Sequence, residues 1–166
     1  MATTAVEKTK IPDAIDARIL SRILEEGYGP GAWHGNDMKA AVVDVSAEDA
    51  FWRPQPQRHN IAELVLHHTY FVRQVRAQLS GSQPEPFVLT GKDWFTLPDE
   101  TVMTWRDIRA LLDTEQRRLA DAVAGASTGE RRAPSDGTPF DLVLGITCHA
   151  VYHGAQIQLL KKLRGK

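Results

Sequence analysis

Cysteine is almost absent from this sequence. Cys148 is the only cysteine among 166 residues. One thiol cannot form an internal disulfide, and it cannot build a zinc site from several thiolates. Any metal bound by this chain must therefore be held by nitrogen and oxygen atoms.

The chain also lacks a long apolar run and an excess of charge of either sign. Its apolar runs are far too short to span a bilayer, and MATTAVEKTK at the start is not followed by the apolar stretch of a secretory signal. The formal net charge is -1, and the basic residues are scattered among acids apart from KKLRGK at the C-terminus. We therefore expect a cytoplasmic protein that binds neither a membrane nor nucleic acid.

The length and the composition predict one globular domain. The chain is 42% hydrophobic and 25% charged, close to the average for soluble domains, and it is long enough to bury a core of its own. We expect residues 1–10 to form a flexible N-terminal segment and residues 11–166 to form the domain.

Capping patterns divide the chain into helices. The four long ones are predicted at 12–27, 61–80, 105–124 and 139–163, and two short helical pieces are predicted at 37–45 and 46–53. Glu63 is explained as the partner of Asn60 in a capping box, and Thr138, Pro139 and Asp141 mark the start of the last helix. No run alternates with period two for long enough to require a strand. The pattern predicts an all-α four-helix bundle with a long loop between the second and third long helices.

Two histidines interrupt the apolar face of the last helix. In HAVYHGAQIQLLKKL, His149 and His153 lie between Ile146 and Ile157 on the same stripe. Side chains one helical turn apart point in a similar direction, and neutral imidazole is a common ligand of transition metals. The pair is therefore a candidate for two ligands of one metal ion.

A third ligand would have to come from another helix. His67 and His68 both fall within the second long helix, and stripes through Leu64 and either histidine satisfy the helical period. A single inward histidine is more often a core residue bonded to a carbonyl group than a ligand. Several converging imidazoles are different, because every buried ring nitrogen needs a partner.

These motifs resemble the DinB/YfiT family of metal-binding four-helix bundles. The resemblance extends from about residue 33 to 163 and is carried by AWHG at 32–35, HNIAELVLHH at 59–68, the DW of KDWF, and HAVYHGAQIQLLKK at 149–162. It implies that His67, His149 and His153 bind one divalent transition metal, with zinc or nickel favoured and iron or manganese as alternatives. It therefore favours His67 over His68 as the ligand.

Three neutral ligands would leave open positions on the metal, as in catalytic sites. Bound water or a bound thiol would have its pKa lowered there. The resemblance implies a small-molecule substrate and an enzyme that activates a low-molecular-weight thiol, as an S-transferase does. A metal-dependent hydrolase and a non-catalytic, stress-associated metal-binding or ligand-binding protein are the alternatives. A homodimer is a further candidate, with the first helix as one surface that could form it, but no sequence feature fixes the oligomeric state.

A hydrolase would need a general base near the metal. Glu115 lies near the inner stripe of the third long helix, although a glutamate there is more often solvated or paired. His34 and His59 lie where loops meet helices. Either could line the pocket mouth, or His34 could fix a turn and His59 could cap a helix.

Other side chains near the histidines could support the site or simply pack. Tyr152 and Gln156 lie one turn from the candidate ligands and could orient imidazoles or fill a helix interface. Cys148 is about 100° round the helix from His149, so we expect it to pack rather than to bind metal. Trp94 and Phe95 could cover the pocket, although anchoring of the loop is the more ordinary role.

Overall fold

The computed structural model describes residues 15–29, 31–125 and 138–165. Within these ranges it has six helices and no strand, which confirms the all-α prediction. The helices are α1 (Ala17–Gly27), α2 (Met38–Val42), α3 (Ala47–Phe51), α4 (Ile61–Leu79), α5 (Trp105–Ala124) and α6 (Pro139–Arg164). The predicted flexible segment at residues 1–10 lies outside the described ranges, and the domain assignment of residues 11–166 stays a prediction.

Most helix starts agree with the capping patterns. Ser46, Asn60, Thr104 and Thr138 are N-caps, and each side chain accepts a hydrogen bond from the backbone N–H three residues later. The predicted start of the first helix at residue 12 is wrong. Asp16 has a non-helical backbone conformation and accepts a hydrogen bond from the N–H of Arg18, so α1 begins at Ala17.

The four long helices form a bundle in which α1 contacts α5 and α6, and α4 also contacts α5 and α6. α1 and α6 approach each other closely at Gly27, where a Cβ atom would lie 3.0 Å from Cβ of Ala150 and 3.2 Å from the backbone of Thr147. The short helix α2 packs against α6, and α3 packs against α4 and α5. The end of the bundle near α2 and α3 thus carries an extra layer over the core.

The long loop after α4 is fastened to the start of that helix at Leu97, which is fully buried. The Leu97 carbonyl accepts hydrogen bonds from Asn60 Nδ2 at 2.7 Å and from the Arg53 guanidinium at 3.2 Å, while its N–H donates to Glu63 Oε1 at 2.8 Å. Glu63 also pairs with Arg53 and lies 3.0 Å from Nδ1 of His59. The carboxylate of Glu63 therefore anchors the loop, and the capping-box explanation of this residue is wrong.

The surface of the described residues gives two further observations. No helix among the described residues is long and apolar enough to cross a membrane. The exposed large apolar side chains include Ile19 on α1 and four residues of α6, namely Leu144, Tyr152, Leu159 and Leu163. The homodimer stays a prediction, and this distribution favours the outer face of α6 over α1 as the contact surface.

The anchoring of the loop can be tested by Glu63→Gln. Burial alone would raise the pKa of Glu63, but hydrogen bonds from Arg53, the Leu97 N–H and His59 outweigh it and lower the pKa. We expect the variant to lose about 2 kcal/mol of unfolding free energy near neutral pH, as for a hydrogen-bonded buried charge. A group with a lowered folded-state pKa stabilises above its ordinary pKa, and this contribution is lost as the pH falls through the lowered value.

Denaturant unfolding at several pH values measures this difference. The wild type and Glu63→Gln should converge in acid. Glu48→Gln is the control, because its pair with Arg164 is exposed and should contribute less than about 1 kcal/mol. Equal losses in the two variants, or a difference that persists unchanged into acid, would contradict the proposed anchor.

Candidate metal centre

Three imidazoles converge where α4 packs against α6. Nε2 of His149 lies 3.2 Å from Nε2 of His67 and 3.1 Å from Nε2 of His153. One ligand atom from each of these residues lies within 4.8 Å of the others, and this is the group of metal-ligating side chains found among the described residues. A three-histidine group of this kind could hold a divalent metal.

The separations of His149 Nε2 from the other two Nε2 atoms fit one bound ion. Imidazole nitrogens bind zinc at about 2.1 Å, so two nitrogens on one ion lie about 3 to 3.4 Å apart for octahedral to tetrahedral angles. These two separations, 3.2 and 3.1 Å, fall within that interval. The donor set of neutral imidazoles suits zinc, nickel, iron and copper better than magnesium or calcium.

Two of the three rings are held in the tautomer that a ligand needs. His67 Nδ1 donates a hydrogen bond to the carbonyl oxygen of Asp93 at 2.9 Å, and His153 Nδ1 donates to Oε1 of Gln156 at 2.6 Å. Both rings therefore keep an unprotonated Nε2, and metal-binding histidines usually donate their other ring nitrogen in this way. Asp93 has a left-handed backbone conformation, with φ 49, at the point where the loop meets His67.

His68 lies on the far side of His149 from the other two imidazoles. Its Nδ1 is 3.0 Å from Nδ1 of His149, and its Nε2 is 2.8 Å from the side-chain amide nitrogen of Gln116. The structure therefore brings His67, and not His68, to the common point of the three Nε2 atoms. Gln116 was not among the residues predicted for the site. Its position four residues after Leu112, on the buried face of α5, marks it as a polar residue in an apolar stripe.

The histidines of the cluster are held neutral near physiological pH. Burial lowers the pKa of His149 and of His153 to about 4, and neighbouring imidazoles add to the shift for both. Burial also lowers the pKa of His67, and it lowers the pKa of the fully buried His68 further. Neutral imidazole is the form that binds metal, so no proton has to be released to solvent at neutral pH.

Trp94 lies directly on the cluster. Its ring stacks on His67 and also on His59, with centroids 3.8 Å apart in both cases, and it meets the edge of His153 at 6.2 Å. Phe95 is buried in the core, as an anchor would be. The loop thus places Trp94 against a candidate ligand, a position that sequence periodicity could not reveal because the loop has none.

Two of the candidate pocket residues lie at the edge of this site or outside it. His59 is half exposed and contacts Glu63 and Trp94, while the cap of α4 is Asn60. His34 is exposed, and its Nε2 lies 2.7 Å from the carbonyl oxygen of Glu26, so it fixes the turn after α1. The contacts described for His34 do not include the three converging histidines.

Glu115 is buried but belongs to an ion-pair network. Its carboxylate lies 2.9 Å from Arg118, 3.4 Å from Arg76 and 3.7 Å from Arg73. Arg73 also donates hydrogen bonds to two carbonyl groups of the loop, at Glu85 and at residue 86. Glu115 is thus neutralised between helices and is not part of the histidine cluster.

One side of the cluster lies close to the protein surface, although His67 and His153 are buried. His149 is half-buried, and the ring of Tyr152 is 61% exposed and meets the edge of His153 at 5.1 Å. Tyr152 therefore borders the site through a ring contact. Cys148 is exposed, so our expectation that it packs is wrong, and its thiol is outside the ligand group.

Comparison with known proteins identified one family. A family model described as the DinB superfamily matches residues 32–157, which is more than half of the chain and includes all three converging histidines. Neither the curated proteins nor the solved structures gave a match. The matched range begins after α1.

The metal content of single variants tests the site. Tag-free protein reconstituted with zinc and then desalted should retain about one ion per chain, as a three-histidine centre does. We expect His67→Ala, His149→Ala and His153→Ala each to lose most of the zinc, because each removes a ligand. His34→Ala is the control with an exposed histidine and should retain it. Inductively coupled plasma mass spectrometry gives the ratio, and zinc retained by all three cluster variants would exclude this centre.

Proposed function

Because the chain belongs to the DinB superfamily, we propose that His67, His149 and His153 hold one divalent transition metal at which a low-molecular-weight thiol is activated for attack on a small electrophile. The main support for the proposal is that Nε2 of His149 lies 3.2 Å from Nε2 of His67 and 3.1 Å from Nε2 of His153 in a chain of this family. Zinc or nickel is the favoured metal, and iron or manganese is the alternative.

Three neutral imidazoles leave the charge of a divalent metal unneutralised, so the metal would lower the pKa of a thiol or water bound at an open position. Within the described residues, the ligand group contains no carboxylate or thiolate of the protein beside the three histidines. A closed structural site would have a fourth protein ligand. The donor set therefore supports a metal with open coordination positions that a small molecule could occupy.

The residues around the imidazoles divide the site into a covered side and an accessible side. Trp94 and Phe71 place aromatic rings against His67 at 3.8 and 5.0 Å, and they would keep water from that ligand. His149 and Tyr152 lie toward the surface. A thiol and its electrophile would approach from this side, with the aromatic face of Tyr152 available to an apolar part of either one.

Attack by a thiol is favoured over hydrolysis because the buried carboxylates of the described residues already have other partners. Asp37 caps α2 and Asp49 pairs with Arg164. Glu115 is paired with three arginines, and Glu63 is bound to Arg53 and the Leu97 N–H. A hydrolase would have to use His59, which is separated from His67 by its stacking partner Trp94. A non-catalytic metal-binding protein is the remaining alternative.

Turnover of a thiol panel tests the proposed activity. Protein loaded with zinc or nickel is mixed with low-molecular-weight thiols and a chromogenic aryl halide, so that a carbon–sulfur bond forms, halide leaves and the thiol proton passes to buffer. We expect a rate at least about 100-fold above that of stripped protein, since a Lewis acid contributes several kcal/mol. Removal of the metal by a chelator should abolish the excess rate, and readdition should restore it.

Matched variants give the controls for this assay. His149→Ala should behave as the stripped protein, and His34→Ala as the wild type. Hydrolysis of an activated ester without thiol transfer would favour the hydrolase instead. Stoichiometric metal with neither reaction across the panel would favour the non-catalytic alternative.

A further inference from the structure

A buried hydrogen-bonded chain leads away from the proposed metal site. It runs from the amide of Gln116 on α5 to His68 on α4 and on to His149 on α6, with separations of 2.8 and 3.0 Å. His68 is 0% exposed and Gln116 is 4% exposed. Because bulk water does not reach His68, its two ring nitrogens depend on Gln116 and His149 for partners.

Neutral imidazoles allow only two proton arrangements along this chain. In the first, the amide N–H of Gln116 donates to Nε2 of His68, and Nδ1–H of His68 donates to Nδ1 of His149. His149 then carries its proton on Nε2. That proton faces Nε2 of His67 and Nε2 of His153, both unprotonated, at 3.2 and 3.1 Å. All of these groups are then satisfied.

The second arrangement reverses every donor in the chain. Nδ1–H of His149 donates to Nδ1 of His68, and Nε2–H of His68 donates to the amide oxygen of Gln116. The two arrangements hold the same number of protons and differ by a half turn of the amide, whose nitrogen and oxygen ends have nearly the same shape. His149 then presents an unprotonated Nε2 to the common point.

Only the second arrangement is compatible with a bound metal. It brings three lone pairs together within 4.8 Å, which is unfavourable unless a cation lies between them. The first arrangement blocks His149 as a ligand. In the structure the amide nitrogen of Gln116 faces Nε2 of His68, which corresponds to the first arrangement.

We propose that Gln116 and His68 are positioning residues that set the tautomer of His149, and that metal binding reverses both hydrogen bonds of this chain together. The inference rests on the proposed function, because it assigns these residues to the same metal site. His68 thus acts through His149 and does not replace His67 as a ligand.

Imidazole nitrogen spectra test the reversal directly. Long-range proton–nitrogen correlations of labelled protein distinguish protonated from unprotonated ring nitrogens, and zinc is diamagnetic, so spectra are accessible with and without it. Without zinc we expect His68 to be protonated on Nδ1. With saturating zinc we expect it to be protonated on Nε2. An unchanged tautomer of His68 on zinc binding would overturn the reversal.

Zinc affinity of three variants tests the role of Gln116 by competition with a chromophoric chelator. Gln116→Met removes the acceptor and should weaken binding by about 10-fold or more, as removal of outer partners of ligating histidines does. Gln116→Glu keeps an acceptor oxygen and should bind at least as tightly as the wild type. Thr69→Val removes a buried hydroxyl that bonds only to the Val65 carbonyl in the described contacts, and it should have no effect.

The outcomes separate this inference from the metal site itself. The positioning role would be overturned if Gln116→Met bound zinc as tightly as the wild type. It would also be overturned if Gln116→Met and Gln116→Glu were weakened equally. In both cases, zinc binding by the wild type would still support the metal site. Absence of zinc binding by the wild type would overturn the metal site and this inference with it. Circular dichroism of each variant shows whether lost affinity reflects lost folding.

Discussion

An imidazole buried in a helical bundle needs a partner at both ring nitrogens, and the arrangement of the histidines follows from this need. Four histidines meet this demand in one small volume. His67 uses a loop carbonyl, and His153 uses Gln156 on its own helix. His68 uses Gln116 from a third helix, and its other ring nitrogen pairs with Nδ1 of His149. What remains after these bonds is a set of Nε2 atoms that face one another, and a divalent cation is the partner that suits three of them.

The same constraint explains why a loop and the start of a helix are tied together. The carbonyl of Asp93 can serve His67 only if the loop is held in place, and the Arg53, Asn60 and Glu63 side chains hold it at Leu97. Trp94 then stacks on His67 and covers it. The buried carboxylate of Glu63 therefore supports the site from a distance, without contact with any of the three candidate ligands among its described bonds.

Much of the fold could be predicted because its signals are local. The N-caps and the apolar stripes lie within one or two turns of sequence, and they placed the starts of five of the six described helices. The exception, α1, has an apolar pattern that continues before its cap, so periodicity extended the helix beyond Asp16. His149 and His153 were found for the same reason, since their spacing and their stripe belong to one helix.

The rest of the site depends on contacts between elements. His67 and His68 are both buried, and every residue from Ile61 to Thr69 is buried, so no stripe could separate the two. The two histidines differ in their partners, because His67 bonds to the carbonyl of Asp93 and His68 bonds to the amide of Gln116. No local sequence pattern links these partners to α4. The resemblance to DinB proteins favoured His67 as the ligand. In the structure, His67 lies within the group that also contains His149 and His153.

Anomalous diffraction from crystals of metal-loaded protein would show whether the three histidines bind one metal ion. Maps from data on either side of the absorption edge of the metal locate the ion without assumptions about its ligands. We expect one peak about 2.1 Å from Nε2 of His67, His149 and His153. A peak bound by other residues, or no peak from protein saturated with zinc or nickel, would contradict this expectation and leave the imidazoles as a hydrogen-bonded core.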